Sequence, residues 1–290
     1  HKDKNEKELD MRKNRKNNSH TYRKRICIMA VLLAGSLMLG GCGVKKENAA
    51  DNELPEIVIG MDYFEPYSYQ ASDGEYKGID VELAKEAFRR LGYRPKFENI
   101  VWEDKDELLA DGTVDCLWSS YSMNGREDKY QWAGPYLYSR QMVVVKNESE
   151  IQTLSDLKGK RIAVQATTKA EDLFLHNIKS DLPQMQQVNC FSTTNEIYAA
   201  LRKSYVDAIA GHEAMLGSLV KEGKDAYRML DESIYKSELG VAFKKGTHEE
   251  VAADLTETLK KLQREGITEK IVTKYGLDAD EILPEGEQNE

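Results

Sequence analysis

Gly78-Ile-Asp-Val-Glu-Leu-Ala-Lys-Glu-Ala-Phe-Arg-Arg-Leu-Gly92 sets Ile79, Leu83, Ala87 and Leu91 at helical spacing and ends on a glycine. Upstream, Pro55-Glu-Ile-Val-Ile-Gly60 reads as a short buried strand, and the aromatic, turn-rich stretch 61–77 joins the two. Downstream the same alternation continues, with a strand over 96–101, a helix over 104–110 and a buried strand over 114–118. Strand and helix in alternation predict an α/β fold with a largely parallel sheet.

A second run of this grammar opens with a strand over 157–164. A helix follows from about Lys169 with Phe174 and Ile178 inward, then a helix over 195–203 and a strand over 206–210. Thr113-Val114-Asp115 and Tyr205-Val206-Asp207 each close a helix and open an apolar strand, an echo that suggests two lobes of similar plan. Near the C-terminus, Val251, Leu255, Leu259 and Leu262 share one helix face behind a capping box at Thr247-His-Glu-Glu250, and a short helix over 269–275 stops at Gly276.

The 290 residues suit roughly two domains, and a 40% hydrophobic content can core both. Residues 1–41 hold 10 Lys and Arg against 4 Asp and Glu, which leaves the remainder with 31 basic and 46 acidic residues, a net of −15. A body so acidic repels a phosphate backbone, so nucleic acid is not an expected partner. Arg23-Lys24-Arg25, the apolar run from Ile26 and the small residues after it follow the order of an export signal. Leu39-Gly40-Gly41-Cys42 resembles a bacterial lipobox, which implies a lipid on Cys42 and removal of 1–41, with 42–53 as a polar tether. Cys116 and Cys190 remain, and both are expected to be free and buried. The chain has no Cys-x-x-Cys and no paired His spacing, so neither a metal nor a cofactor is expected.

Several stretches, in order, resemble the bacterial extracellular solute-binding proteins of family 3, the receptors of amino-acid ABC importers. Phe64-Glu-Pro-Tyr67 looks like the family's aromatic-x-Pro-aromatic loop, and Gly78-Ile-Asp-Val-Glu-Leu83 matches its signature. Ser119-Ser-Tyr-Ser122 with Arg126, Pro135-Tyr136, the 157–164 strand and the closing helices fall in register over about 54–279. The resemblance implies a two-lobed α/β fold of the type II periplasmic-binding-protein kind, with two crossing hinge strands near 137–140 and 237–240. The first lobe would comprise 54–137 and 239–279 and the second 138–238, followed by a disordered tail over 280–290.

The resemblance also implies a ligand site. Arg126 would take a ligand carboxylate through its bidentate fork, although read alone, within Arg126-Glu-Asp-Lys129, it is a solvated arginine. Thr168, or Thr167 next to it, would meet the same carboxylate at a helix start, since Thr168-Lys-Ala-Glu171 is a capping box. Ser120 and Ser122 would face the ammonium, Phe64 the side chain, and Asp62 a polar or cationic group. Trp118 and Tyr121 flank the serines; either could line the cleft, but an aromatic on a buried strand is more often core. Where the family has an aspartate for the α-ammonium, this chain has His212-Glu213, so either residue could take that place, or His212 could simply cap the next helix. The function implied is an exported, monomeric lipoprotein at the outer face of the cell membrane. It would capture a small zwitterion, a polar amino acid, and deliver it to an ABC permease without catalysis. A cleft enzyme of the cyclohexadienyl dehydratase type, with His212 or Glu213 as acid or base, and a sensor-type binding domain are the alternatives.

Overall fold

The computed structural model describes residues 54–284 apart from Ser180. The stretch expected to be an export signal, the expected lipidation site Cys42, the whole of the expected tether over 42–53 and residues 285–290 lie outside the described residues. Among the described residues, eleven strands run in chain order: β1 (Glu56–Met61), β2 (Tyr69–Gln70), β3 (Tyr76–Lys77), β4 (Arg94–Asn99), β5 (Cys116–Ser122), β6 (Tyr130–Lys146), β7 (Arg161–Gln165), β8 (Gln187–Phe191), β9 (Ala208–His212), β10 (Tyr227–Met229) and β11 (Tyr235–Lys244). The α-helices among the described residues are α1 (Ile79–Arg90), α2 (Lys105–Asp111), α3 (Lys169–Phe174), α4 (Thr194–Arg202), α5 (Glu213–Glu222), α6 (Glu249–Arg264), α7 (Ile267–Lys274) and α8 (Ala279–Ile282).

The large sheet has the order β4-β1-β5-β11-β6-β9-β7-β8, with β10 beside β6. The trios at its two ends are parallel, β4-β1-β5 in one lobe and β9-β7-β8 in the other. Between them the long strands β6 and β11 run antiparallel to each other and to their neighbours. β11 pairs with β5 over Leu239 to Phe243, while β6 pairs with β9 over Gln141 to Val145, so each long strand serves both lobes. This is the two-lobed type II plan with crossing hinge strands. Among the described residues, no helix is long and apolar enough to cross a membrane.

The predicted periodicities hold where tertiary burial agrees with them. α1 buries Ile79, Leu83, Ala84, Ala87 and Phe88, and α6 buries Ala252, Leu255, Leu259 and Leu262. Each buried leucine contributes roughly 1.5–3 kcal/mol by area, as an upper bound. The Asp echo is a repeated device: Asp115 Oδ2 accepts the Val58 N–H at 2.7 Å and Asp207 Oδ2 accepts the Arg161 N–H at 2.8 Å. In each lobe the carboxylate ties a strand's start to its parallel neighbour.

Other expectations are corrected. Ile178 is 55% exposed, because α3 ends at Phe174 and leaves Ile178 beyond its inward face. Cys190 is exposed on the edge strand β8, whereas Cys116 is buried in the sheet interior. The box at Thr247 does not form, since Thr247 Oγ1 donates to the Lys244 carbonyl and His248 stands at the helix start with φ 54°. The stretch read as strand from 157 begins instead as a 3-10 turn, Leu154–Leu157, before β7. The tail expected to be disordered from 280 contains the end of α8, which closes at Ile282.

Candidate functional site

Four strands end at one place, and each delivers a polar side chain there. Asp62 follows β1, Ser119 to Ser122 finish β5, Gln165 finishes β7 and His212 finishes β9. Carboxyl ends of parallel strands facing each other across two lobes form the expected ligand crevice of an open α/β sheet. The crevice holds a small cavity lined by these residues with Phe64, Trp102, Thr168 and Lys169.

Its walls join across the cleft. Gln165 Nε2 donates to Asp62 Oδ2 at 2.5 Å and to the Ser192 carbonyl at 3.1 Å. Asp62 also accepts the Tyr63 N–H at 2.7 Å, yet burial outweighs both donors and raises its carboxyl to about 6. Lys169 Nζ donates to the Asn124 carbonyl at 2.6 Å and lies 3.5 Å from Asp172, and burial, then the nearby Arg126 charge, pull its pKa down. Lys105, buried against the Trp102 and Tyr121 rings, donates to Thr167 Oγ1 at 2.9 Å and is lowered to about 8 by that burial. Three buried polar atoms on the cavity residues have no hydrogen-bond partner: Ser120 Oγ, Ser122 Oγ and Gln165 Oε1. Unmet buried groups of this kind are costly in a folded chain unless something else satisfies them.

His212 presents its ring to the cavity, edge-on to Phe64 with centroids 5.5 Å apart. Ser139 Oγ and Gln141 Nε2 hold its nitrogens at 2.9–3.3 Å. Complete burial, and secondarily the Arg126 charge, drop its pKa to about 3, so it is a neutral imidazole at physiological pH.

Of the residues expected in the site, Asp62, Phe64, Ser120, Ser122, Thr168 and His212 line this cavity. Glu213 does not. It starts α5 and is gripped by Arg140 through two bonds of 2.7 and 2.5 Å, on a separate cavity beside Tyr67, Ser139 and the C-terminal segment. Arg126 is not among the lining residues; it donates to Asp172 at 2.6 Å and to the Ser122 carbonyl at 3.1 Å, with its guanidinium 5.1 Å over Tyr121. Thr167, with φ 59°, gives its N–H to Glu171, so the expected capping box is displaced by one residue; Thr168 Oγ1 instead donates to the Gln165 carbonyl. Tyr121 lines the cavity and Trp118 packs in the core.

The sequence reading missed Ser119, which stands beside the serines it did name, and Gln165, Lys169 and Trp102. Gln165 carried the same signal as Asp62, a polar residue directly after an apolar strand. The other two had none, because Lys169 reaches the site by meeting the first lobe at the Asn124 carbonyl and Trp102 by packing on Tyr121, contacts that local sequence does not encode.

L-cystine-binding protein TcyJ of Escherichia coli (strain K12) is 25% identical over 252 residues, covering 86% of this chain and 92% of that protein. L-cystine-binding protein TcyA of Bacillus subtilis (strain 168) is 24% identical over 278 residues, covering 87% and 97%. A solved substrate binding protein of an ABC uptake transporter from Streptococcus pneumoniae, with bound histidine, aligns with a TM-score of 0.69 at 26% identity over 79% of this chain and 95% of that one. The sequence profile of the bacterial extracellular solute-binding proteins, family 3, matches residues 57–278, and the chain belongs to that family.

Proposed function

We propose that this chain binds a small zwitterionic amino acid between its lobes and delivers it to an ABC importer, as a lipoprotein held at the outer face of the cell membrane through Cys42. The observation that carries the reading is the trio of unpartnered buried groups, Ser120 Oγ, Ser122 Oγ and Gln165 Oε1, in a cavity with the acid Asp62 on one wall and the base Lys169 on the other. A zwitterion supplies donors and acceptors for that trio together with one charge for each wall. In this arrangement Asp62 receives the ligand's cationic group and Lys169 faces its carboxylate. The Arg126 charge, which is felt as far as His212, adds to the positive side. Phe64 packs against the ligand's apolar atoms. Relatives that bind L-cystine and a neighbour with bound histidine support an amino acid as ligand. A cleft enzyme finds less support, because Glu213 is held by Arg140 outside the cavity and the ring nitrogens of His212, which does line it, are engaged by Ser139 and Gln141.

A thermal-shift screen of the full chain against L-cystine and the free L-amino acids tests this. A ligand at 100 times its Kd that binds only the folded state adds about 2.7 kcal/mol and raises the Tm. If no compound in the panel moves the Tm, the amino-acid reading fails. For the anchor, Cys42→Ala is expected to move the protein from the membrane fraction to the soluble one without altering the shift, and continued membrane association would sink the lipoprotein reading.

A further inference from the structure

β5 bends where it meets the cavity. Ser120 has φ 50°, in the left-handed region that residues with a Cβ enter only at a cost, although its strand is buried throughout. Its N–H donates to Asp80 Oδ2 at 2.6 Å, and the other Asp80 oxygen accepts the Tyr136 O–H at 2.8 Å. Asp80 is 1% exposed and lies in the first turn of α1, where the helix dipole favours an anion. Its own N–H donates to the Tyr67 carbonyl at 2.9 Å, which pins the carboxylate to the helix start. The groups facing it are the phenols of Tyr136 and Tyr67 and the Trp118 indole, and among the described residues no cation pairs with it. A buried carboxylate with no countercharge is a costly choice for packing alone. What it holds in place is the one residue of β5 in the left-handed region, whose hydroxyl is unpartnered in the cavity wall.

We propose that Asp80 is a positioning residue for the ligand cavity: by gripping the Ser120 N–H it fixes that residue in the left-handed conformation that turns the Ser120 hydroxyl to the ligand. The proposal rests on the amino-acid reading for its consequence in binding. Burial lifts the Asp80 carboxyl to about 7, so the grip is tunable near neutral pH.

The test is a double-mutant cycle on the full chain, with affinity measured for whichever of L-cystine and the free L-amino acids binds wild type most tightly. Asp80→Leu is expected to weaken binding at least tenfold. Asp80→Asn, whose amide oxygen can still accept from Ser120 while its NH2 donates to Tyr136, stays within about threefold of wild type. Ser120→Ala removes only the hydroxyl and should cost clearly less in the Asp80→Leu background than in wild type, because the hydroxyl is already misdirected there. Fully additive losses would overturn the proposal, since Asp80 would then act through something other than Ser120. A measurement without ligand separates this from the amino-acid reading and serves even where Asp80→Leu does not fold. In the free chain the Ser120 amide resonance should follow a titration near neutral pH in wild type and lose it in Asp80→Asn. An amide that ignores both pH and the substitution overturns the positioning role, whereas failure of wild type to bind any of the panel overturns the amino-acid reading and leaves the amide to decide.

Discussion

Asp62 and His212 line the same cavity and respond to acid in opposite senses. Burial raises the Asp62 carboxyl from 3.8 to about 6, so the folded chain holds that proton more tightly than the unfolded chain does. Ionising it costs stability as pH climbs from about 4 to 6, by at most about 3 kcal/mol. Burial lowers His212 from 6.5 to about 3, so the unfolded chain takes up a proton that the folded chain refuses. The stability His212 provides is complete above pH 6.5 and is lost as pH falls toward 3, by up to roughly 4–5 kcal/mol. At pH 4 the two nearly offset, leaving a net loss of about 1 kcal/mol, so single variants are needed to separate them. In urea unfolding, the stability advantage of wild type over His212→Asn should shrink by about 3 kcal/mol between pH 7 and pH 4, while that over Asp62→Asn should grow by roughly 2 kcal/mol. A His212 difference that stays constant with pH would mean that the imidazole titrates normally in the folded protein.

The start of α1 shows how one glycine carries an element. Gly78 sits at φ 122°, and a Cβ there would lie 2.2 Å from the Tyr67 carbonyl oxygen and 2.9 Å from that of Pro66. Neither carbonyl can retreat, since they accept the N–H groups of Asp80 and Ile79 that open the helix. Gly78→Ala is therefore expected to cost about 3 kcal/mol or more, a Tm fall of roughly 6–12 °C, and a loss under about 1 kcal/mol would show that the loop yields. The helix itself was legible, because Ile79, Leu83 and Ala87 repeat at its period, and so was the Asp115 and Asp207 echo, because both tie neighbouring strands. Element ends were less so. β5 runs on to Ser122 and β9 to His212 through pairing with β11 and β6, which local sequence does not encode, and that pairing sets the serines and the imidazole on strand ends. Asp62 could be found as the first polar residue after an apolar strand. Lys169 enters the site through the approach of the second lobe to the first, and Trp102 through its packing on Tyr121, a contact between distant stretches of the first lobe. Glu213 illustrates the converse: its acidity drew attention, but Arg140, 73 residues away, claims it.

At the scale of the molecule, the cleft is bridged by polar contacts: Asp62 with Gln165, Lys105 with Thr167, Arg126 with Asp172, Lys169 with the Asn124 carbonyl, and Glu103 with Ser192. Opening exchanges each of these for water at a net cost of about 1.5–3 kcal/mol, since every one involves an ionisable side chain that water can also solvate, so rotation about β6 and β11 is feasible in a way that parting an apolar core would not be. A ligand touching both walls favours the closed form by its differential affinity for that form, and small-angle scattering should show a smaller radius of gyration when the chain is saturated. Arg126 is the contact with most at stake. Its side chain is 11% exposed and paired with Asp172 at 2.6 Å, so Arg126→Ala should weaken ligand binding by roughly 2–5 kcal/mol and shift the scattering toward the open form. Asp172→Asn separates the two ways in which this could arise. If Arg126 acts by clamping the lobes, the Asn variant also binds more weakly and also opens, since the same bridge is lost. Tighter binding by Asp172→Asn would mean instead that Asp172 competes with the ligand carboxylate for the guanidinium, which would return Arg126 to the ligand's first contacts and make its bond to Asp172 the one that ligand entry breaks.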